Sequence, residues 1–112
     1  MIVNLTPHPI SLANEAGEVT ETIAPHPAGP ARCKTQSVPT GRDVEGVKVF
    51  RNTFGNVEGL PAPTEGFSYI VSSIVLAAVD DSRVDVVAPD TGPTAVRDEN
   101  GRILAVRQFS GK

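Results

Sequence analysis

Disulfide bonds and a large aromatic core are both unavailable to this sequence. It has one cysteine, Cys33, and no tryptophan, and its aromatic side chains are four phenylalanines and one tyrosine. A single cysteine excludes an intrachain disulfide, which is typical of a protein that works in a reducing compartment. Because aromatics are so few, the core must be built mainly from Val, Ile, Leu and Ala.

Signals for membrane insertion and secretion are also lacking. No apolar run approaches the roughly 18 residues that a membrane-spanning helix needs. The segment Met1–Leu5 has neither a charged leader nor the long apolar stretch of a signal peptide. We therefore expect a cytoplasmic protein with no membrane partner.

Runs of basic residues are absent as well. Thirteen acidic residues face ten basic ones, which gives a formal charge of −3, and the basic residues are scattered along the chain. Proteins that bind the phosphate backbone usually show a basic face or run. The sequence therefore predicts no general binding of nucleic acid, although folding could still gather two or three arginines into one pocket.

The length and the turn-forming residues bound the fold. A chain of 112 residues is enough for one domain with a modest core, so we expect residues 1–112 to form a single domain. Ten prolines and ten glycines are many for a helical bundle. We expect an α+β, mainly β fold, built as a curled antiparallel sheet or a partly open barrel with one short helix.

Alternating patterns predict a hairpin near each end of the chain. Residues 10–23 contain an apolar run, a turn and an alternating apolar and polar run. Residues 94–108 flank Asn100-Gly101, a pair that tolerates positive φ in a tight turn. These features favour antiparallel strand pairs at both ends.

The segment after residue 68 predicts a strand, a helix and a second strand. Tyr69–Val71 is typical of a buried strand, and Ser72 or Ser73 can cap a helix that continues to Val79. Val84–Val87 predicts the next strand, because Pro89 closes it.

The stretch 24–46 is the least regular part of the chain. Four prolines, Pro39 among them, argue against a continuous central strand, so we interpret it as a loop with at most a short strand at Arg32–Lys34. Val47–Phe50 then predicts a short strand, and Gly55-Asn56 predicts a turn.

Histidine and cysteine offer little catalytic or metal chemistry. His8 lies between two prolines that stiffen its backbone, which suits a ligand contact or a general base, but equally a histidine that closes a turn. His26 has the same neighbours. The spacing of these histidines and Cys33 matches no recognised metal motif, so we predict no metal and no cofactor.

Serine and arginine residues offer a site for an anion. Ser72 stands at a strand-to-helix junction without a Gly-x-Ser-x-Gly elbow, so it is either an anion contact or an ordinary helix cap. Arg83 and Asp85 share one face of a strand, where they could bind a polar ligand or simply hold each other. Arg97 could join them in an anion pocket.

Several short segments together resemble a family of small uncharacterised proteins found in phage and bacterial genomes. The segments are Asn4-Leu5-Thr6-Pro7-His8-Pro9-Ile10, Thr53–Pro61, Tyr69–Ser72, Arg83–Pro89 and Val96–Ile103. The resemblance covers most of the chain outside residues 24–46. It implies a phage or prophage setting and no established activity.

In that setting we expect a small-molecule-binding protein, one that sequesters an anionic, nucleotide-like signal. No catalytic residue is assigned. We expect basic and hydroxyl groups to contact the charged part of the ligand, and Phe54 or Tyr69 to stack on a base. The predicted ligand-binding residues are Thr6, His8, Phe54, Glu58, Tyr69, Ser72, Arg83, Asp85 and Arg97.

Two other functions stay open. One is a phage protein-interaction or assembly module, whose mark would be an exposed apolar surface. The other is a small hydrolase or transferase with His8 as base, whose mark would be a hydroxyl or carboxylate within hydrogen-bond reach. A homo-oligomer is expected, because a small sheet with edges broken by proline gains from pairing with a copy of itself.

Overall fold

The computed structural model describes all of residues 1–112 and contains ten strands and one helix. The strands are β1 (Ile2–Asn4), β2 (Ile10–Ala13), β3 (Val19–Ile23), β4 (Arg32–Val44), β5 (Val47–Glu58), β6 (Ser68–Ile70), β7 (Val86–Pro89), β8 (Val96–Arg97), β9 (Ile103–Ala105) and β10 (Phe109–Gly111), and the helix α1 is Ser73–Ala78. The α+β, mainly β class with one short helix is confirmed. No helix has the length and apolar character needed to cross a bilayer.

The central sheet has four strands in the order β1-β6-β7-β10. The pairs β1–β6 and β6–β7 are parallel, and β7–β10 is antiparallel. This differs from a wholly antiparallel sheet, because α1 crosses over between β6 and β7 and so lets the two strands run the same way. The other strands form three separate two-stranded sheets, and none closes into a barrel.

The core is aliphatic, as the composition predicts. Ile70, Val71 and Val86 are fully buried at 0% exposure, and Val75 on α1 is 2% exposed. The main cluster joins Val71, Val75 and Val86 to four further residues, namely Leu5, Ala31, Tyr69 and Val79. The core therefore lies where the start of the chain, β6, β7 and α1 meet.

The helix begins as its sequence predicts. The Oγ of Ser72 accepts a hydrogen bond from the backbone N–H of Val75 at 3.3 Å, which makes Ser72 the N-cap. The helix is six residues long, and Asp80 and Asp81 lie beyond its end. Neither acid therefore stands in the last turn, where the helix dipole would disfavour a carboxylate. The strand expected at Val84–Val87 begins at Val86.

Both expected terminal hairpins are present. β2 pairs with β3, and β8 pairs with β9 around the Asn100-Gly101 turn, where Gly101 has a φ of 81°. The hairpins also join each other, because the N–H of Val106 donates to the carbonyl oxygen of Ser11 at 2.9 Å. They therefore form one β unit beside the central sheet.

The irregular loop expected at 24–46 is wrong from residue 32 onward. Residues 32–44 are strand β4, which pairs with the twelve-residue β5 along nearly its whole length. The turn expected at Gly55-Asn56 is wrong too, since both residues lie inside β5. Proline is tolerated because β4 pairs on one side only, so the missing N–H of Pro39 can face solvent.

We call residues 32–58 the ribbon. It pairs with no third strand, and every residue from 34 to 56 is exposed or half-buried. The radius of gyration is 16.4 Å, whereas a compact chain of this length is expected near 13 Å. The ribbon therefore projects from the body of the protein.

Candidate functional site

The loop between β1 and β2 is held by one buried amide. The Nδ2 of Asn4 donates to the carbonyl oxygens of His8 and Ile23 at 2.8 and 2.9 Å. Its Oδ1 accepts from the hydroxyl and the backbone N–H of Thr6. Asn4 is only 2% exposed, so the opening segment of the sequence is fixed by a buried polar network.

This loop forms one wall of a cavity of about 570 Å³ at the inner end of the ribbon. The opposite walls come from the start of β4, the end of β5 and α1. We call it the ribbon-base cavity. Its size lies within the range of about 300–1,000 Å³ that is typical of small-molecule sites.

One side of the ribbon-base cavity is apolar. Leu5, Ala31 and Val75 are core residues whose edges reach it, and Ile74 on α1 is half-exposed beside them. A nonpolar part of a ligand would lose water contact against these side chains, which favours binding in proportion to the area covered.

The other side of the cavity carries charge. Arg32 and Lys34 come from β4, and Glu58 from β5, where Arg32 and Glu58 are cross-strand partners. No ion pair within 4.0 Å joins these side chains. Two cations thus face one carboxylate, which leaves the mouth of the cavity with an excess positive charge.

Three neutral hydroxyl or amide groups complete the polar lining, namely those of Thr6, Asn56 and Ser72. The hydroxyl of Thr6 already donates to Asn4 or to the carbonyl of His8, so its free capacity is that of an acceptor. The Ser72 oxygen accepts from Val75 but its own O–H has no partner. Ser72 therefore keeps one donor for a ligand.

The lone cysteine lies within this lining. The thiol of Cys33 points to the carbonyl oxygens of Lys34 and Gly55 at 3.5 and 3.4 Å, and the residue is half-buried. No group of three or more His, Cys, Asp and Glu side chains is placed to hold a metal ion anywhere in the chain.

Three of the nine predicted site residues meet in the ribbon-base cavity: Thr6, Glu58 and Ser72. The two predicted stacking rings do not. Tyr69 is 4% exposed in the core and lines a separate cavity with His26, while Phe54 lies half-exposed further out on the ribbon.

Arg83 and Asp85 hold each other elsewhere. The guanidinium donates Nε and Nη2 hydrogen bonds, both 3.0 Å, to the two carboxylate oxygens, and Nη2 also reaches the carbonyl of Pro61 at 2.9 Å. The hydrogen-bonded Arg83 lowers the pKa of Asp85, and Asp85 raises the pKa of Arg83. Each member of this bidentate pair already binds an oppositely charged partner, which favours a structural role.

Arg97 and His8 lie apart from this pair as well. The Arg97 guanidinium donates to the carbonyl oxygens of Gly101 and Thr91, at 3.0 and 2.7 Å, and so braces the last hairpin. His8 is exposed, and its backbone carbonyl rather than its imidazole holds the turn. Its imidazole makes no hydrogen bond to a hydroxyl or carboxylate of the chain. The structure does not gather Arg83, Arg97 and His8 into one anion pocket.

Sequence reasoning missed the cavity's two cations and Asn56. Arg32 and Lys34 fall in the stretch interpreted as a loop, and Asn56 in a residue pair interpreted as a turn. All three lie where the inner ends of β4 and β5 pair. This shared position could be recognised only if the pairing of Arg32 with Glu58 were known.

A scan against protein-family models, a search of curated proteins and a search of solved structures each found no match to this chain. The resemblance to small phage and bacterial proteins therefore stays a prediction. The geometry of the ribbon-base cavity is consequently what indicates a function.

Proposed function

We propose that this protein binds a small molecule in the ribbon-base cavity, and that the ligand combines an anionic group with a nonpolar part. The proposal rests on one observation, namely that Arg32 and Lys34 line the same cavity of about 570 Å³ as an apolar wall. Cations at the mouth would attract and hold the anion, and the apolar wall would cover the rest of the ligand.

Sequestration of a phage-related, nucleotide-like signal is the finer form of this proposal. Arg32 and Lys34 in the cavity lining support the expectation that such a ligand is anionic. Stacking on a base has less support, because no aromatic ring lines the cavity. We therefore define the ligand class by its negative charge and apolar body, and nucleotides are one set of probes within it.

The first experiment is native mass spectrometry of the purified protein, under gentle and then denaturing conditions. A mass of a few hundred daltons that leaves on denaturation would identify a co-purified ligand. Thermal-shift titration with inorganic phosphate, nucleoside monophosphates and cyclic dinucleotides would follow. We expect stabilisation by a subset of these anions, because any ligand that binds only the folded state raises the midpoint.

The decisive variant is the double charge reversal Arg32→Glu and Lys34→Glu. It should abolish binding of the anion that gave the shift. The matched control is Arg42→Glu with Arg102→Glu, which changes the net charge equally at two exposed sites outside the cavity. Equal loss of binding in both variants, or unchanged binding in the first, would refute the cavity as the site.

A catalytic function based on His8 receives no support from its surroundings, since its imidazole has no hydroxyl or carboxylate partner. The assembly function has one favourable observation, the exposed phenylalanines of the ribbon. It is compatible with ligand binding.

A further inference from the structure

The outer part of β5 is an unpaired strand edge that carries apolar side chains. Phe50 is 51% exposed and Phe54 is 48% exposed, and they lie four residues apart on one face of the strand. β4 covers only the other edge of β5. Natural proteins rarely leave such an edge uncovered, because it is a template for pairing with another chain.

The backbone groups at this edge point outward at defined residues. The carbonyl oxygen of Val49 faces β4, where it accepts a hydrogen bond from the hydroxyl of Thr40 at 2.7 Å. Backbone groups alternate in direction along a strand. The N–H and C=O groups of Phe50, Asn52 and Phe54 therefore face away from β4 and are free to pair.

The opposite edge of the ribbon is poorly suited to pairing. On β4, Pro39 has no N–H to donate, and the register between β4 and β5 shifts between Pro39 and Arg42. Gly41 in this bulge has a φ of 79°. Only one edge of the ribbon is thus available, which favours a closed pair of ribbons over an open fibre.

We propose that β5 pairs antiparallel with β5 of a second copy of this chain, across a two-fold axis at Asn52. In this register Phe50 lies opposite Phe54 of the partner subunit, and each aromatic ring gains an aromatic neighbour. Asn52 lies opposite itself. Each of these residue pairs exchanges two backbone hydrogen bonds, because the N–H and C=O groups of all three residues face away from β4.

Charge argues against the neighbouring register. A two-fold at Arg51 would place two guanidinium groups against each other, which is unfavourable. With the two-fold at Asn52, Arg51 lies opposite Thr53 of the partner subunit, so both phenylalanines are covered and no like charges are directly opposite each other.

The paired segment is short, so the dimer is expected to dissociate in the micromolar range rather than to be obligate. Sedimentation velocity across a concentration series tests this. The variant Phe50→Ser with Phe54→Ser should weaken the dimer at least about tenfold, since it removes two aromatic pairs. Both side chains are half-exposed, so the monomer fold is retained. The control is Val19→Ser with Val84→Ser, two exposed valines outside the ribbon.

Cross-linking tests the register itself. In a Cys33→Ser background, Asn52→Cys should form an intersubunit disulfide on oxidation, because directly opposed residues of a hydrogen-bonded pair lie about 5.5 Å apart, within the span a disulfide allows. The matched variant Arg42→Cys, on the β4 edge, should not.

Three outcomes would overturn the proposal. They are a monomer at every concentration, a dimer that survives the loss of both phenylalanines, and a dimer in which Asn52→Cys fails to cross-link while Arg42→Cys succeeds. A monomer at every concentration would mean that the free edge of β5 pairs with a different kind of partner. None of these measurements depends on the ribbon-base cavity, so failure here and failure of ligand binding are separate results.

Discussion

The carboxamide oxygen of Asn4 accepts two hydrogen bonds from Thr6, one from its hydroxyl at 2.6 Å and one from its backbone N–H at 3.0 Å. Both residues are buried, at 2% and 7% exposure. The Nδ2 of the same side chain donates to the carbonyl oxygen of Ile23 at the end of β3. One side chain thus ties the start of the chain, the following loop and the first hairpin together.

We expect Asn4→Ala to lower the free energy of unfolding by about 3 kcal/mol, because it leaves several buried donors and acceptors without partners. Urea unfolding followed by circular dichroism measures this. His8→Ala is the matched control and should be nearly neutral, since the network uses only the backbone carbonyl of His8. A loss under about 1 kcal/mol for Asn4→Ala would contradict the network's importance.

The Asn4 network could not be predicted from the opening segment alone. The local sequence predicts ligand contacts at Thr6 and His8, and nothing in it marks Asn4 as the residue that holds the segment. Whether a polar side chain is buried depends on what packs over it. Here that is the end of β3, which lies 19 positions from Asn4 along the chain.

Local elements were predictable and long-range ones were not. The cap at Ser72 and the Asn100-Gly101 hairpin depend on neighbouring residues, and both are as predicted. The ribbon was missed because Pro39 and Gly41 are unfavourable in a central strand, whereas β4 has one free edge that tolerates them. Arg32, Lys34 and Asn56 were missed with it, which is why only part of the cavity could be predicted.

Acid should weaken the protein partly through Asp85. Arg83 holds the pKa of Asp85 below its usual range, so the stability from this pair is complete above the unfolded-state pKa, near 4. It is lost as the pH falls through the lower, folded-state pKa. We expect Asp85→Asn to be about 1–2 kcal/mol less stable than the unchanged protein at pH 7, and this gap to close toward pH 2.

Urea midpoints at several pH values measure the gap. Asp81→Asn is the control, because the Asp81 carboxylate lies 3.4 Å from Lys112 but is 94% exposed, and exposed pairs contribute little. A gap for Asp85→Asn that is constant with pH would mean that its effect comes from packing rather than from charge.

Replacing a large apolar side chain by alanine should cost much more stability in the body of the protein than in the ribbon. Ile70 is fully buried, so Ile70→Ala should cost about 3–4 kcal/mol through lost burial and the cavity it leaves. Phe54→Ala, at a residue 48% exposed, should cost less than about 1 kcal/mol when measured on the monomer. Comparable losses for the two, in chemical denaturation at low protein concentration, would show that the ribbon packs on the body.

Two glycines with nearly the same backbone conformation allow a steric contact to be separated from backbone strain. Gly59 has a φ of 80° and Gly66 a φ of 82°, a region that disfavours other residues. A Cβ at Gly59 would lie 3.1 Å from the carbonyl oxygen of Pro30, whereas one at Gly66 would meet nothing within 4 Å. The contact partner matters because Pro30 lines the ribbon-base cavity.

We expect Gly66→Ala to cost about 1 kcal/mol, the cost of the backbone conformation alone. Gly59→Ala should cost about 1 kcal/mol more, because the backbone at Pro30 must move to relieve the contact. The same shift of Pro30 should reduce ligand affinity in the Gly59→Ala variant only. Thermal and urea unfolding give the stabilities. Equal values for the two variants would mean that the backbone at Pro30 moves away from the added Cβ at no cost in stability.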